Sequence, residues 1–264
     1  MSASIPSRPN IWAIVPAAGV SRRMGRPKQL MPWGDTDMAS HVCRTLLEAG
    51  VSGLILVTRR ALVDAMDLPR DPRVRVAFNE ECDSQMLDSI RIGLETIAAE
   101  SRGLGEDAND GTRPRAAAPS ETSCGAACPP TGTSEAVCPP TGSREAARRP
   151  RRIAHGDVDG VMVLPADVPG VCPQTCRDCT AAFAADPRRI VVATCEGRRG
   201  HPIIFPWELR AEVSTLKGGL RDLLAQHPDR LLLVDTADPG VTQNVNAPQD
   251  YPARTAPRPN RRLL

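Results

Sequence analysis

The chain has 264 residues, 33 Lys and Arg against 31 Asp and Glu, and a formal net charge of +2. It is long enough to bury a substantial core in one large α/β domain or two small ones. The near-even charge balance excludes the clustered basic surface of a nucleic-acid binder. The aromatic content of 3%, with Tyr251 the single tyrosine, argues against base-stacking platforms.

Residues 1–10 carry no apolar run suited to a signal peptide, and nowhere do about 20 apolar residues follow one another as a bilayer span requires. The expectation is a cytoplasmic protein without nucleic-acid or membrane partners. The nine cysteines are odd in number and scattered, so they are expected as reduced thiols.

The first predicted element is the apolar run Ile11–Pro16, which suits a buried parallel strand feeding the loop Ala17-Ala18-Gly19. A helix is predicted from about Asp37 to Glu48, stopped by Ala49-Gly50. Leu54–Thr58 and Val74–Phe78 read as strands two and three, with a short helix over Ala61–Leu68 between them. Met86, Leu87, Ile90, Leu94 and Ile97 then recur at helical spacing to about Ala99.

From about 101 to 152 the composition shifts to Gly, Pro, Ala, Ser, Thr and Arg. The stretch repeats itself, Cys128-Pro-Pro-Thr-Gly being echoed by Cys138-Pro-Pro-Thr-Gly. Such a segment buries too little apolar surface to offset an ordering entropy of roughly 1–2 kcal/mol per residue. It is expected to be a disordered insertion within one domain, since loop-closure cost grows slowly with length.

Regular pattern resumes with a strand at Gly160–Leu164, a helix at about Pro173–Ala184, a strand at Ile190–Thr194 and a short strand at Pro202–Phe205. Helices over Trp207–Leu216 and Gly219–Gln226 precede a last strand, Leu231–Asp235. Strands alternating with helices predict an α/β fold with a doubly wound, mainly parallel sheet.

Ligands of such sheets sit beyond the carboxyl ends of the strands, and two polar motifs fall there. One is Ala17-Ala18-Gly19-Val20-Ser21-Arg22-Arg23-Met24-Gly25-Arg26-Pro27-Lys28. Its small residues let backbone N–H groups approach phosphate oxygens, and Arg23 and Lys28 add positive charge. The other is Pro165-Ala166-Asp167-Val168-Pro169, where one carboxylate can hold Mg²⁺ through oxygen. Either motif alone also fits a solvated turn or a helix cap. Their joint placement at two strand ends favours phosphate chemistry.

Two further features have bland counterparts. Cys172, Cys176 and Cys179 match the C-x₃-C-x₂-C spacing of cluster-binding radical enzymes, but at i, i+4 and i+7 they share one helix face and read as small core residues. His201 either faces an acceptor or packs at a strand start, with packing favoured.

Residues 16–33, Pro-Ala-Ala-Gly-Val-Ser-Arg-Arg-Met-Gly-Arg-Pro-Lys-Gln-Leu-Met-Pro-Trp, resemble the signature of the MobA-like nucleotidyltransferases. Within that family the likeness is greatest to the molybdenum cofactor cytidylyltransferases. The resemblance continues through Ser84–Leu94, Asp167-Val168-Pro169, Gly197–Pro202 and Asn244–Tyr251.

It implies a Rossmann-like nucleotidyltransferase fold with Ala17, Ala18, Gly19, Ser21, Arg23, Gly25 and Lys28 around a triphosphate. Met86 and Ser89 would lie near base and ribose, and Asp167 and Asn246 at Mg²⁺. Arg23, Lys28 and Asp167 would be catalytic. Read from the residues alone, Arg199 suits either an acceptor phosphate or a solvated turn, and His201 beside it is the other candidate toward the acceptor. The implied partners are a nucleoside triphosphate, CTP favoured, a phosphorylated acceptor such as molybdopterin cofactor, and a molybdoenzyme recipient.

The chain departs from many cytidylyltransferase relatives at Gln85, where they carry glycine. It departs again at Asn244-Val245-Asn246-Ala247-Pro248, where they carry Asp-x-Asp-Thr-Pro. Guanylyl transfer therefore stays open. The cytidylyltransferases of isoprenoid precursor synthesis share Pro-Ala-Ala-Gly but carry a His-Asp-Ala-Ala-Arg-Pro element at the metal strand. A non-catalytic nucleotide- or cofactor-binding accessory protein is the alternative of another class.

Overall fold

The computed structural model describes residues 8–21, 25–101 and 157–251. Arg23 and the segment expected to be a disordered insertion (apart from Ser101) lie outside the described residues.

In chain order the elements are β1 (Ile11–Pro16), the two-residue strands β2 (Pro32–Trp33) and β3 (Thr36–Asp37), α1 (Met38–Ala49), β4 (Gly53–Thr58), α2 (Arg60–Val63), β5 (Val74–Phe78) and α3 (Met86–Ser101). After residue 156 come β6 (Gly160–Val163), α4 (Pro173–Ala185), β7 (Ile190–Cys195), β8 (Arg198–Pro206), α5 (Arg210–Thr215), α6 (Leu220–Gln226) and β9 (Leu231–Asp235).

Seven strands form one sheet in the order β5-β4-β1-β6-β8-β7-β9, and β2 pairs with β3 in a separate hairpin. All pairings in the large sheet are parallel except those of β8, which runs antiparallel to both β6 and β7. The doubly wound, mainly parallel sheet expected from the strand–helix alternation is therefore present.

The strands β1, β4, β6 and β7 are buried along their whole length, which is why they read as unbroken apolar runs. Along β1, Ile11, Ala13 and Val15 enter one core with Leu46 of α1 and Phe183 of α4. Trp12 and Ile14 enter the other with Ile90 and Leu94 of α3 and Leu223 of α6. The alternation follows from the two-residue period of a strand.

Helix α1 is bounded as its sequence demands. Asp37 caps its start, accepting the Ser40 N–H at 2.8 Å, a cap worth about 1 kcal/mol. Gly50 ends it in the left-handed conformation at φ 85°, its N–H reaching the carbonyls of Leu46 and Leu47.

The β2–β3 hairpin lies outside the predicted elements, and the helix predicted over Trp207–Leu216 begins as a 3₁₀ turn at Trp207–Leu209. Two further elements differ from expectation. The helix predicted over Ala61–Leu68 stops at Val63. The following turn is drawn into tertiary contacts instead: the Asp67 N–H donates to the Asp37 carboxylate at 2.8 Å, and the Asp67 carboxylate pairs with Arg44 at 2.7 Å.

The strand predicted over Pro202–Phe205 starts four residues earlier, at Arg198. Glu196 and Gly197 both take positive φ, 52° and 73°, as a two-residue hairpin turn needs. That turn pairs Arg198 with Cys195 and pulls a segment of weak strand propensity into the sheet.

Candidate active site

The strand order reverses at β1. Chain order runs outward from β1 through β4 to β5, then returns to place β6 on the other side of β1. The crevice beyond the carboxyl ends of β1 and β6 is thus the switch point where ligands of open α/β sheets bind. The Gly19 loop leaves β1 there, and the Asp167 turn follows β6. A hydrogen bond from the Ala166 N–H to the Pro16 carbonyl, at 3.1 Å, ties the two together.

Three consecutive carbonyls of the loop are held from behind. The Thr58 hydroxyl donates to Ala17 at 3.3 Å, Arg59 Nε to Ala18 at 2.9 Å and the Gln29 amide to Gly19 at 3.3 Å. A peptide whose carbonyl is fixed on one side presents the following N–H to the other. Among the described residues no acceptor reaches the N–H of Ala18 or Gly19. The loop thereby turns these two N–H groups to the side opposite its three supporting donors, an arrangement in which backbone amides can bind an anion.

Lys28 opens a short 3₁₀ turn, Lys28–Leu30, against this loop. Its backbone N–H donates to the Ser21 hydroxyl at 3.0 Å, and the next residue, Gln29, is buried. Its ammonium lies 2.6 Å from Asp167 Oδ2 and 3.2 Å from Asn246 Oδ1. The other carboxylate oxygen, Asp167 Oδ1, is buried with no hydrogen-bond partner among the described residues.

Asn246 reaches the site through a specific path. The Val245 N–H donates to the Asp167 carbonyl at 2.8 Å, and Asp250 accepts the N–H groups of Asn246 and Ala247, each at 2.9 Å. Val245 is buried with Met31 and Met38 in a small satellite core, against which Trp33 and Tyr251 pack. The two rings meet edge-to-face at 5.7 Å, a favoured aromatic geometry. Upstream, Asp238 accepts from Cys172 N and Thr175 Oγ1, both at 2.7 Å, pinning the route to α4.

A pocket of about 120 Å³ is lined by residues that include Ala17, Ala18, Gly19, Lys28, Ser89 and Asp167. Met86 and Gln85 border it and also a second, larger cleft of about 850 Å³. Arg199, His201 and Arg221 line that second cleft, over an apolar floor including Ile90, Ile203 and Leu224.

The predicted residues thus divide. Ser21 stands behind the loop, at φ 53°, latching Lys28 rather than lining the pocket. Gly25 is exposed at φ 66° and does not line it either. The Ser89 hydroxyl accepts from Asn79 Nδ2 at 3.1 Å. Thr58, Arg59, Gln29 and Arg221 carry structure here that the sequence reading did not single out.

Burial holds the His201 imidazole below its ordinary 6.5, opposed by the Asp167 charge and a backbone hydrogen bond at Val163. Its Nδ1 is buried without a partner among the described residues. The Cys172–Cys179 triplet does not make a cluster site, for no three His, Cys, Asp or Glu gather as metal ligands among the described residues. Cys176 and Cys179 are buried core thiols.

An oxygen-only pair, one carboxylate and one amide, suits a hard divalent cation that keeps most of its waters. The two oxygens already share one cation, the Lys28 ammonium, so the donor set fits.

The family model described as MobA-like NTP transferase domain matches residues 13–231. The chain belongs to the MobA-like NTP transferase family. It is a nucleotidyltransferase of that family. No curated protein sequence matches this transferase significantly.

Solved structures similar to the transferase include Rv0371c from Mycobacterium tuberculosis H37Rv, at 24% identity and TM-score 0.58, over 91% of this chain and 95% of that one. A manganese complex of the same mycobacterial protein aligns at 22% identity and TM-score 0.55, over 92% and 96%. A nucleotidyl transferase from Methanothermobacter thermautotroptrophicus aligns at 19% and 0.58, over 91% and 94%. At these identities the likeness is one of fold. No helix among the described residues is long and apolar enough to cross a membrane.

Proposed function

We propose that the transferase moves CMP from CTP to a phosphorylated acceptor, molybdopterin cofactor, with release of pyrophosphate and with help from Mg²⁺ or Mn²⁺. The observation that carries this reading is the convergence of Lys28, Asp167 and Asn246 on one point beside the amide-lined loop.

The pocket at the loop has room for a phosphate chain end, and the ridge of Gln85 and Met86 leads from it to the larger cleft. The triphosphate lies on the N–H groups of Ala18 and Gly19, with Lys28 and, on the family pattern, Arg23 and Gly25 around it. Met86 and Ser89 lie toward base and ribose. The acceptor occupies the larger cleft, its phosphate near Arg199 and its body beside His201.

An acceptor phosphate oxygen attacks the α-phosphorus in line, and the bond to the bridging oxygen breaks, the electron pair leaving with pyrophosphate. A phosphate monoester near neutrality is largely ionised, so the attack needs no protein base. The chain's part is positioning and charge neutralisation. Asp167 and Asn246 would hold the divalent cation, which supplies Lewis-acid neutralisation of phosphate charge. The manganese complex of the mycobacterial relative supports a divalent cation.

The core with its insertion acts as one nucleotidyltransferase domain in the cytoplasm, handing its product to a molybdoenzyme. Asn246, where many relatives carry aspartate, keeps a second reading in view: an accessory protein that binds nucleotide without turning it over.

Melting curves with each of four nucleoside triphosphates and Mg²⁺ test the nucleotide, since a ligand bound only by the native state raises its stability. CTP is expected to give the largest shift. Pyrophosphate release with CTP and molybdopterin cofactor tests the reaction. A melting shift without pyrophosphate would replace the enzyme by the accessory protein.

A further inference from the structure

The Lys28 side chain stands in two places at once in the chemistry above. It is the cation proposed to grip the triphosphate, yet its ammonium lies on the two oxygens proposed to hold the metal, 2.6 Å from Asp167 and 3.2 Å from Asn246. A divalent cation between those oxygens and an ammonium at the same point exclude each other.

The surroundings say which partner moves. Asp167 is anchored through its carbonyl by Val245, and Asn246 through its N–H by Asp250. The Lys28 backbone is anchored by Ser21, and Gln29 beside it is buried. What remains free is the four-carbon lysine stem, whose side chain is 21% exposed against 12% for Asp167. A lysine is a point charge on a flexible tether with three donors, able to trade one set of oxygens for another without backbone change.

We propose that Lys28 gates the cation site: its ammonium closes the site in the nucleotide-free protein and withdraws when polyphosphate oxygens compete for it. Cation and nucleotide therefore enter as a coupled pair. The proposal rests on the reading of Asp167 and Asn246 as cation ligands. A cation arriving alone must displace the ammonium and leave it uncompensated beside a double positive charge. One arriving with a triphosphate brings the anion that takes the ammonium over. By linkage, nucleotide must raise cation affinity by the same factor as cation raises nucleotide affinity.

Titration of the full chain with Mn²⁺, reading free Mn²⁺ by electron paramagnetic resonance, tests this without turnover. Wild type alone is expected to bind Mn²⁺ at least tenfold more weakly than wild type with CTP, after allowance for the Mn²⁺–CTP complex in solution. Lys28→Met without nucleotide is expected to bind Mn²⁺ at least tenfold more tightly than wild type. Lys28→Arg, which keeps a cation there, should stay near wild type.

Adding Asp167→Asn to Lys28→Met should abolish the gain. Equal Mn²⁺ affinity of wild type with and without CTP overturns the gate, as does a folded Lys28→Met chain binding no more tightly than wild type. The failure of the ligand reading looks different: Mn²⁺ binding in the presence of CTP would then be untouched by Asp167→Asn.

Discussion

Arg59 donates from Nε to the Ala18 carbonyl at 2.9 Å while its Nη2 holds the Glu81 carbonyl at 3.1 Å. One side chain at the end of β4 thereby fixes the Ala17–Gly19 loop on one side and the approach to α3 on the other. With Thr58 and Gln29 it sets the direction of the loop's donors.

Replacing Arg59 by Ala should therefore leave the sheet intact and loosen the loop. The expected result is a fall in kcat/KM for nucleotide of about 10–100-fold, equivalent to roughly 1.4–2.7 kcal/mol of transition-state stabilisation. Steady-state kinetics measure it, with a melting curve to show that the fold survives. An unchanged kcat/KM would mean that Thr58 and Gln29 orient the donors without it.

Asp167→Asn keeps the shape of the side chain and one acceptor oxygen while removing its charge. Turnover should fall by about three orders of magnitude or more, whereas the fold should survive, because the amide oxygen can still accept from the Lys28 ammonium. Retained pyrophosphate release would remove Asp167 from the mechanism.

Gly93 lies where α3 crosses β1, and a Cβ there would come within 2.8 Å of two Ile14 carbons. Gly93→Ala should destabilise by about 1–3 kcal/mol through overpacking, at roughly 2–4 °C of melting temperature per kcal/mol. Adding Ile14→Val should recover part of the loss. Denaturant titration of the single and double variants measures the coupling.

Burial keeps both His41 and His201 below the ordinary imidazole value of 6.5, with Arg44 adding to the effect at His41. As pH falls below that value, the unfolded chain takes up protons at these positions before the native chain does. Stability therefore rises with pH across that window and is lost on acidification. The melting temperature should fall from pH 7 toward pH 5. His201→Gln should flatten that slope; an unaltered slope would show that other groups carry it.

Burial pushes the Cys179 thiol up to about 12, and raises Cys176 and Cys43 in the same direction. Thiolates are the reactive form, so iodoacetamide at pH 8 should spare these three until the chain is unfolded while modifying exposed Cys82. Peptide mapping by mass spectrometry distinguishes the sites.

Much of this architecture is written in local pattern. Ile11–Pro16, Val74–Phe78 and Leu231–Asp235 are apolar runs between turn residues, and each is a strand with those bounds. Lys28 and Asp167 were legible as a pair because both follow strands on a sheet whose ligand edge is known in advance. The same rule applied to Thr58-Arg59, at the end of β4, would have pointed to the residues that hold the loop.

What local pattern does not carry is tertiary. The Pro32–Asp37 hairpin has strands of two residues, too short for any periodicity. The early start of β8 comes from its turn and its partner strand. The contact of Lys28 with Asn246 spans 218 positions and depends on a path held by Asp238 and Val245. No spacing rule reports such a path.

The satellite core joins two stretches of chain, Met31, Trp33 and Met38 before β4, and Val245 and Tyr251 beyond the last sheet strand. Cleavage after Thr242 would spare all seven sheet strands while detaching Val245, Asn246 and Tyr251. Such a clipped molecule should melt like a folded protein and still have lost its chemistry, so proteolysis at that one stretch would separate durability from function.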